Sequence, residues 1–293
     1  MQRRQEQDPD NAMVHFTHRG VELSRQMWRP WRLDRPGPLD ANEQETGDDS
    51  SFTFHDAGHI LGSAGILIRG EGQTLLYTGD VNFENQTLMT GGCFPESAVD
   101  VLIMETTRGD SPTPDGFTRA GEEARFLQAL LDGLSCGGVV FIPVFALGKT
   151  QELLAMLHGF RQRGELPQVP LYIGGLSTKI TTVYDRFAAT SSRQQPELQL
   201  LQELAPYVVT GRDAQSMEPR PGSIYALSSG MMTEETVSNV FARKILPSEK
   251  NSLYFVGYSD PDSPAGRLRA TPPGQAFSLN ENLAPVPLRC RQD

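Results

Sequence analysis

From position 122 to 256 the chain alternates short apolar runs with longer runs of helical spacing, and few folds tolerate that rhythm. The apolar runs are 139–144, 169–173, 224–227 and 253–256; the helical stretches are 122–134, 150–161, 178–189 and 233–246. Parallel strands need a crossover between them, usually a helix, and burial on both faces makes each strand read as an unbroken apolar run. The expectation is therefore an α/β unit, a parallel sheet covered by helices.

Upstream the pattern is different. Residues 52–56 and 64–80 alternate apolar and polar side chains and turn at Gly70-Glu71-Gly72, which predicts half-buried strands in a hairpin. A third apolar run occupies 101–104. Each of the three ends near an ionisable side chain: His59 in Asp56-Ala57-Gly58-His59, Asp80 in Tyr77-Thr78-Gly79-Asp80, and Glu105 in Ile103-Met104-Glu105-Thr106. Zinc is held by neutral imidazole and carboxylate oxygen, and a catalytic site keeps one position open for water. His59 and Asp80 are thus candidate metal ligands at one sheet edge. Taken singly, each is more often the residue of an ordinary strand end or turn.

Other features limit the class of protein. The chain has no apolar run of the ~18 residues that a membrane span needs, and its N-terminus lacks the apolar segment of a signal peptide. A cytoplasmic protein without membrane contact is expected. Cys93, Cys136 and Cys290 are odd in number and widely spaced, the usage of reduced thiols. A net charge of −10 argues against a generally basic nucleic-acid-binding surface. The clearest basic stretch is Arg25, Arg29, Arg32 and Arg35, interleaved with Trp28 and Trp31; Pro30 and Pro36 interrupt it, and arginine packing on tryptophan at a solvated face is the expected arrangement. Residues 1–12 are polar and expected to be disordered, and 37–51 read as an acidic loop.

Several motifs together carry a resemblance. Asp-Ala-Gly-His-Ile-Leu-Gly-Ser-Ala at 56–64, Leu-Leu-Tyr-Thr-Gly-Asp at 75–80, Ile-Met-Glu-Thr-Thr at 103–107, Pro-Val-Phe-Ala-Leu-Gly-Lys-Thr-Gln-Glu at 143–152 and Leu-Ser-Ser-Gly-Met-Met at 227–232 follow one another in order. So does Gly-Tyr-Ser-Asp-Pro-Asp-Ser-Pro at 257–264. The set resembles the β-CASP branch of the metallo-β-lactamase superfamily, the RNA- and DNA-processing nucleases similar to RNase J and to the mRNA 3′-end cleavage endonuclease. The resemblance implies a partial metallo-β-lactamase αββα scaffold with a Rossmann-like β-CASP insertion. It divides the chain into an N-terminal segment (1–50), a metallo-β-lactamase-like part (51–109), the β-CASP domain (110–258) and a return to the first part (259–293), with the strand-like 286–288 re-entering its sheet.

The same resemblance implies a zinc-dependent nuclease acting on single-stranded RNA, with DNA as a further substrate class. In it Asp80 bridges two zinc ions, His59 ligates one, and metal-bound hydroxide attacks the phosphodiester; catalytic roles fall on Asp80 and Glu105. Glu105 matches an acidic residue that orients a C-terminal histidine. Lys149, Ser228, Ser229 and Gly230 match loops that face substrate, and ordinary strand-to-helix turns account for them equally well. Lys149 stands where many relatives carry arginine, giving a point charge in place of a bidentate contact. This sequence departs from the pattern in lacking the His-x-His-x-Asp-His string and the C-terminal histidines. A chain with two of the ligands is expected to bind zinc weakly and to be inactive alone. It would be completed by a second copy or a complementing chain, or would serve as a non-catalytic RNA-binding or scaffold protein.

Overall fold

The computed structural model describes residues 17–39, 50–280 and 282–292. The polar 1–12 stretch and most of the acidic 37–51 loop lie outside the described residues. Two main sheets organise the rest.

The first sheet has the order β1 (Pro36–Pro38), β2 (Ser51–Asp56), β3 (Ala64–Gly70), β4 (Gln73–Tyr77) and β5 (Val101–Ile103). β2, β3 and β4 form an antiparallel meander, with Phe54 opposite Ile66 and Leu67 opposite Leu76. The β3–β4 connection turns at Glu71 and Gly72, both at positive φ, as the glycine pair predicted. β5 then runs parallel to β4. Two short elements were not expected. Gly37 lies inside β1, paired with β2, where a loop was predicted. A helix, α1 (His18–Met27), precedes it, started by the Thr17 hydroxyl accepting from the Gly20 amide. Trp31 packs on Phe52, with ring centroids 5.3 Å apart, and its indole N–H donates to the Arg35 carbonyl; its aromatic partner is Phe52 and not an arginine.

The second sheet is parallel throughout. Its order is β13 (Arg291–Gln292), β10 (Ser252–Leu253), β6 (Val139–Pro143), β9 (Ser223–Leu227), β7 (Leu171–Gly174) and β8 (Tyr207–Val209). The longer helices are α2 (Arg119–Ser135), α3 (Lys149–Gln162), α4 (Ser177–Arg186) and α7 (Val237–Ile245), with short α5 (Leu200–Leu204), α6 (Gly211–Ser216) and α8 (Pro264–Ala270). Strand alternation assigns the two faces. Val140, Ile142, Ile173, Ile224 and Ala226 face a core with Leu154 and Leu157 of α3 and Leu130 of α2. Val139, Phe141, Tyr225 and Leu227 face the opposite core with Phe241 and Ile245 of α7 and Leu268 of α8. Every residue of β6, β7 and β9 is buried, the condition that made these strands legible as apolar runs.

The C-terminal stretch corrects one expectation. Val286 and Pro287 (β12) pair with Ala276 and Phe277 (β11) in a separate two-stranded ribbon, and β13 adds to β10 of the parallel sheet. Residues 286–292 therefore extend the second unit and do not re-enter the first sheet. Buried Leu288 and Cys290 explain the preference, since both belong to the core around Phe241. No helix among the described residues is long and apolar enough to cross a membrane.

Candidate functional site at the junction of the two sheets

Strand direction decides where the three ionisable residues emerge. β2 and β4 are both antiparallel to β3 and so run the same way, and β5 is parallel to β4. His59, Asp80 and Glu105 each follow the carboxyl end of one of these strands, so the fold delivers all three to one rim, as the motif order predicted. His59 and Asp80 are exposed, and Glu105 is half-buried.

The rim is held by local hydrogen bonds. The Ser63 hydroxyl accepts from the amides of His59 (3.1 Å) and Ile60 (3.2 Å), closing the 59–63 loop. The Gln86 side-chain amide donates to the carbonyls of Gly58 and His59, each at 3.0 Å. Glu105 accepts from the Val81 amide at 2.9 Å, which fixes the backbone immediately after Asp80. Hydrogen bonding from Thr107 first, then from the Val81 amide, holds the Glu105 carboxyl below the usual glutamate range, and the nearby charge of His59 acts in the same direction.

The second sheet supplies the facing wall. Outside the carboxyl ends of open α/β strands, ligands gather where neighbouring connections diverge. β6 leads through α3 towards β7 on one side, whereas β10 leads through α8 towards β13 on the other, so the divergence lies between β6 and β10. The crevice there is lined by Phe145, Lys149, Gly230, Phe255, Val256 and Tyr258, among others. Gly230 packs its Cα directly on Phe145, where a Cβ would sit 3.0 Å from the Phe145 amide nitrogen. Gly148 caps α3 at φ 76° with no side chain in the way; a Cβ there would press on Ile60 at 2.5 Å. That contact joins the His59 loop to the start of α3. Tyr184 of α4 adds a second link, its hydroxyl accepting from the Leu61 amide at 2.9 Å.

The predicted substrate-facing residues divide. Lys149 is exposed at the mouth of the crevice, and Gly230 lines it. Ser228 is buried and its hydroxyl donates inward to the Gly174 carbonyl at 2.9 Å, so it faces the sheet and not the crevice. The Ser229 hydroxyl lies 3.2 Å from that of Thr233, within its own turn. Gln86, Ser63 and Tyr184 were not singled out in the sequence. Ser63 sits inside the quoted motif, but no local signal marks the other two.

Comparison with known proteins now bears on this geometry. Residues 150–268, from α3 through most of α8, match the Beta-Casp domain family. The chain carries a β-CASP domain. An RNase J-like protein of Methanocaldococcus jannaschii is 31% identical over 219 residues, covering 74% of this chain and 51% of that protein. A ribonuclease of Thermus thermophilus is 30% identical over 263 residues, covering 86% of this chain and 58% of its own length. An endoribonuclease of Emericella nidulans is 30% identical over 254 residues, covering 80% of this chain and 28% of its own. The resemblance to the β-CASP branch of the metallo-β-lactamase superfamily is borne out, and the β-CASP domain is the parallel α/β unit. The chain spans about half the length of the first two of these relatives.

The donor set can be tested against zinc. A catalytic zinc takes three protein ligands and a water. Among the described residues no group of three or more histidine, cysteine, aspartate and glutamate side chains is arranged to hold a metal ion. His59 and Asp80 share the rim, but they do not amount to a complete metal centre.

Proposed function

We propose that this chain handles single-stranded RNA as the β-CASP-bearing portion of a metallo-β-lactamase-type ribonuclease, and that it does not cleave RNA by itself. The observation that carries the reading is the meeting of the His59–Asp80–Glu105 rim with the crevice at the carboxyl ends of β6 and β10, bridged by the Ile60–Gly148 contact. Lys149 at the crevice mouth is the cation for a backbone phosphate, in a chain whose net charge of −10 disfavours RNA binding over its surface at large. Zinc would be held by His59 and Asp80 only if further ligands came from outside the described residues, and would supply Lewis-acid chemistry at the phosphodiester. Within the chain, Glu105 holds the Asp80 backbone and Gln86 the His59 carbonyl. A complementing chain or a second copy is the source of the missing ligands. The incomplete donor set equally supports a non-catalytic RNA-binding or scaffold role, which shares the same groove.

The test uses the purified chain with a labelled single-stranded RNA, with and without zinc. Binding should weaken several-fold in Lys149→Ala and be unchanged in Asp80→Ala, and no zinc-dependent cleavage should occur. Cleavage abolished by Asp80→Ala would show that the chain is a complete enzyme. Binding indifferent to Lys149→Ala would remove the groove from the account.

A further inference from the structure

Glu152 is a buried carboxylate that the proposed function does not use. It lies on the first turn of α3 and is 8% exposed, a burial that needs compensation. The compensation comes from the other unit: Oε2 accepts from the Leu88 amide at 2.8 Å and Oε1 from the Met89 amide at 2.9 Å. Leu88 and Met89, which precede β5, are themselves buried in the core of the β-CASP domain among Leu130, Leu154 and Tyr184. The Leu88 carbonyl accepts from the Gln194 amide, and the Thr90 amide donates to the Ser192 carbonyl, so the segment is also stitched to the domain by backbone. A turn closes this segment, the Gln86 amide donating to the Met89 carbonyl at 2.9 Å. From that turn the Gln86 side chain reaches the carbonyls of Gly58 and His59.

We propose that Glu152 is a positioning residue for the rim: through the 86–89 turn and the Gln86 amide it sets where the His59 backbone stands relative to the crevice. The inference rests on the reading of His59 as a functional ligand, but the linkage itself is a property of the folded chain. A carboxylate gripping two adjacent backbone amides fixes both position and orientation of the turn. An amide in its place would turn an N–H toward an N–H. Burial pushes the Glu152 carboxyl up, while the Leu88 and Met89 amides and the positive charge of Arg119 oppose that shift.

Hydrogen–deuterium exchange on the full chain tests the linkage without reference to cleavage. Glu152→Gln should raise exchange at 86–89 by on the order of tenfold, the loss expected for a charge-assisted hydrogen bond, and should raise it at 58–61 as well. Gln86→Ala should raise exchange at 58–61 while leaving the Leu88 and Met89 amides protected. In the double variant, 58–61 should be no looser than in Gln86→Ala alone. The reading is overturned if Glu152→Gln loosens 86–89 but leaves 58–61 at its original rate, or if the two substitutions add at 58–61. Should Glu152→Gln fail to fold, Gln86→Ala still decides, because unchanged exchange at 58–61 in that variant removes the connection. A chain that shows the linkage yet does not bind RNA would refute the proposed function and leave this inference standing.

Discussion

Gly58 is where the His59 loop leaves least room, and Gly58→Ala is the perturbation whose cost can be worked most directly. The residue sits at φ +67°, and a Cβ would stand 2.1 Å from the Gly92 nitrogen, 2.4 Å from the Asn82 carbonyl oxygen and 2.6 Å from the Gly91 carbonyl carbon. All three atoms are backbone, so no rotamer change relieves the contact. The left-handed conformation costs an alanine about 1–2 kcal/mol, and shifting packed backbone costs about 1–3 kcal/mol more. The expected loss, on the order of 3 kcal/mol, is a large fraction of the ~5–15 kcal/mol that holds an ordinary domain. The assay can separate the two units. Trp28 and Trp31 are the two tryptophans of the chain, and Trp31 packs on Phe52 of the first sheet, so tryptophan fluorescence reports that sheet. The helices from α2 onward belong to the β-CASP unit and dominate helical circular dichroism. In urea, the fluorescence transition of Gly58→Ala should move to lower denaturant, and the circular dichroism transition should move less. A fluorescence shift worth less than about 1 kcal/mol would refute the tight backbone approach on which the geometry of the His59 loop depends.

Two further outcomes follow from buried and hydrogen-bonded groups. Glu105 has a folded-state pKa below its ordinary value, so the stability it contributes is present above about pH 4.3 and is lost as the pH falls through the folded value. Protection of the Val81 amide, measured as its exchange rate relative to the intrinsic rate at each pH, should fall in acid for the native chain, and Glu105→Gln should abolish that pH dependence; an unchanged profile would mean that the carboxylate does not hold Val81. Cys93 and Cys136 are exposed, whereas Cys290 is buried and its thiol is pushed up to about 12. A thiol-reactive chromophore should therefore modify Cys93 and Cys136 in the folded chain and reach Cys290 only on unfolding, and rapid labelling of Cys290 would contradict its place in the core.

Legibility in the sequence followed burial. β6, β7 and β9 are inaccessible on both faces, so each had to be an apolar run, and the amphipathic helices between them follow from the sheet they cover. The shorter α5, α6 and β8 escaped notice because their order comes from caps and neighbours more than from periodicity: Thr210 and Asp213 form a reciprocal cap on α6, and α5 starts where Asp185 accepts from the Leu200 and Leu201 amides. β1 was hidden by Pro36-Gly37-Pro38, a composition that reads as loop but tolerates an edge position beside β2. For the site, motif order placed His59, Asp80 and Glu105 on one rim because strand ends are a matter of topology. The direction of the Ser228 side chain was not legible, because a motif names a residue without saying which way its side chain points, and here the Gly174 carbonyl captures the hydroxyl. Gln86 and Tyr184 act on the rim from distant positions in the chain and left no local trace.

The two units differ in how well they are finished, and this explains why the junction matters. The parallel sheet has a buried core on each face, but β5 ends the first sheet with Val101, Leu102 and Ile103 exposed at 44%, 53% and 48%. Its apolar side chains alternate to both faces, the pattern of a strand meant to be covered twice, yet among the described residues nothing covers it. An edge of this kind contributes little burial and is an aggregation hazard. The stability of the first sheet must then come largely from its attachment to the β-CASP domain. That attachment consists of Leu88 and Met89 inserted into the domain core, the Glu152 carboxylate on their amides, the Tyr184 hydroxyl on Leu61, and Ile60 against Gly148. The same contacts that orient the rim thus also keep its sheet folded. A substitution at the junction should consequently lower fluorescence-detected stability and loosen the His59 loop together, whereas one confined to the α7 face, such as Phe241→Leu, should lower stability of the domain without changing exchange at 58–61 under native conditions.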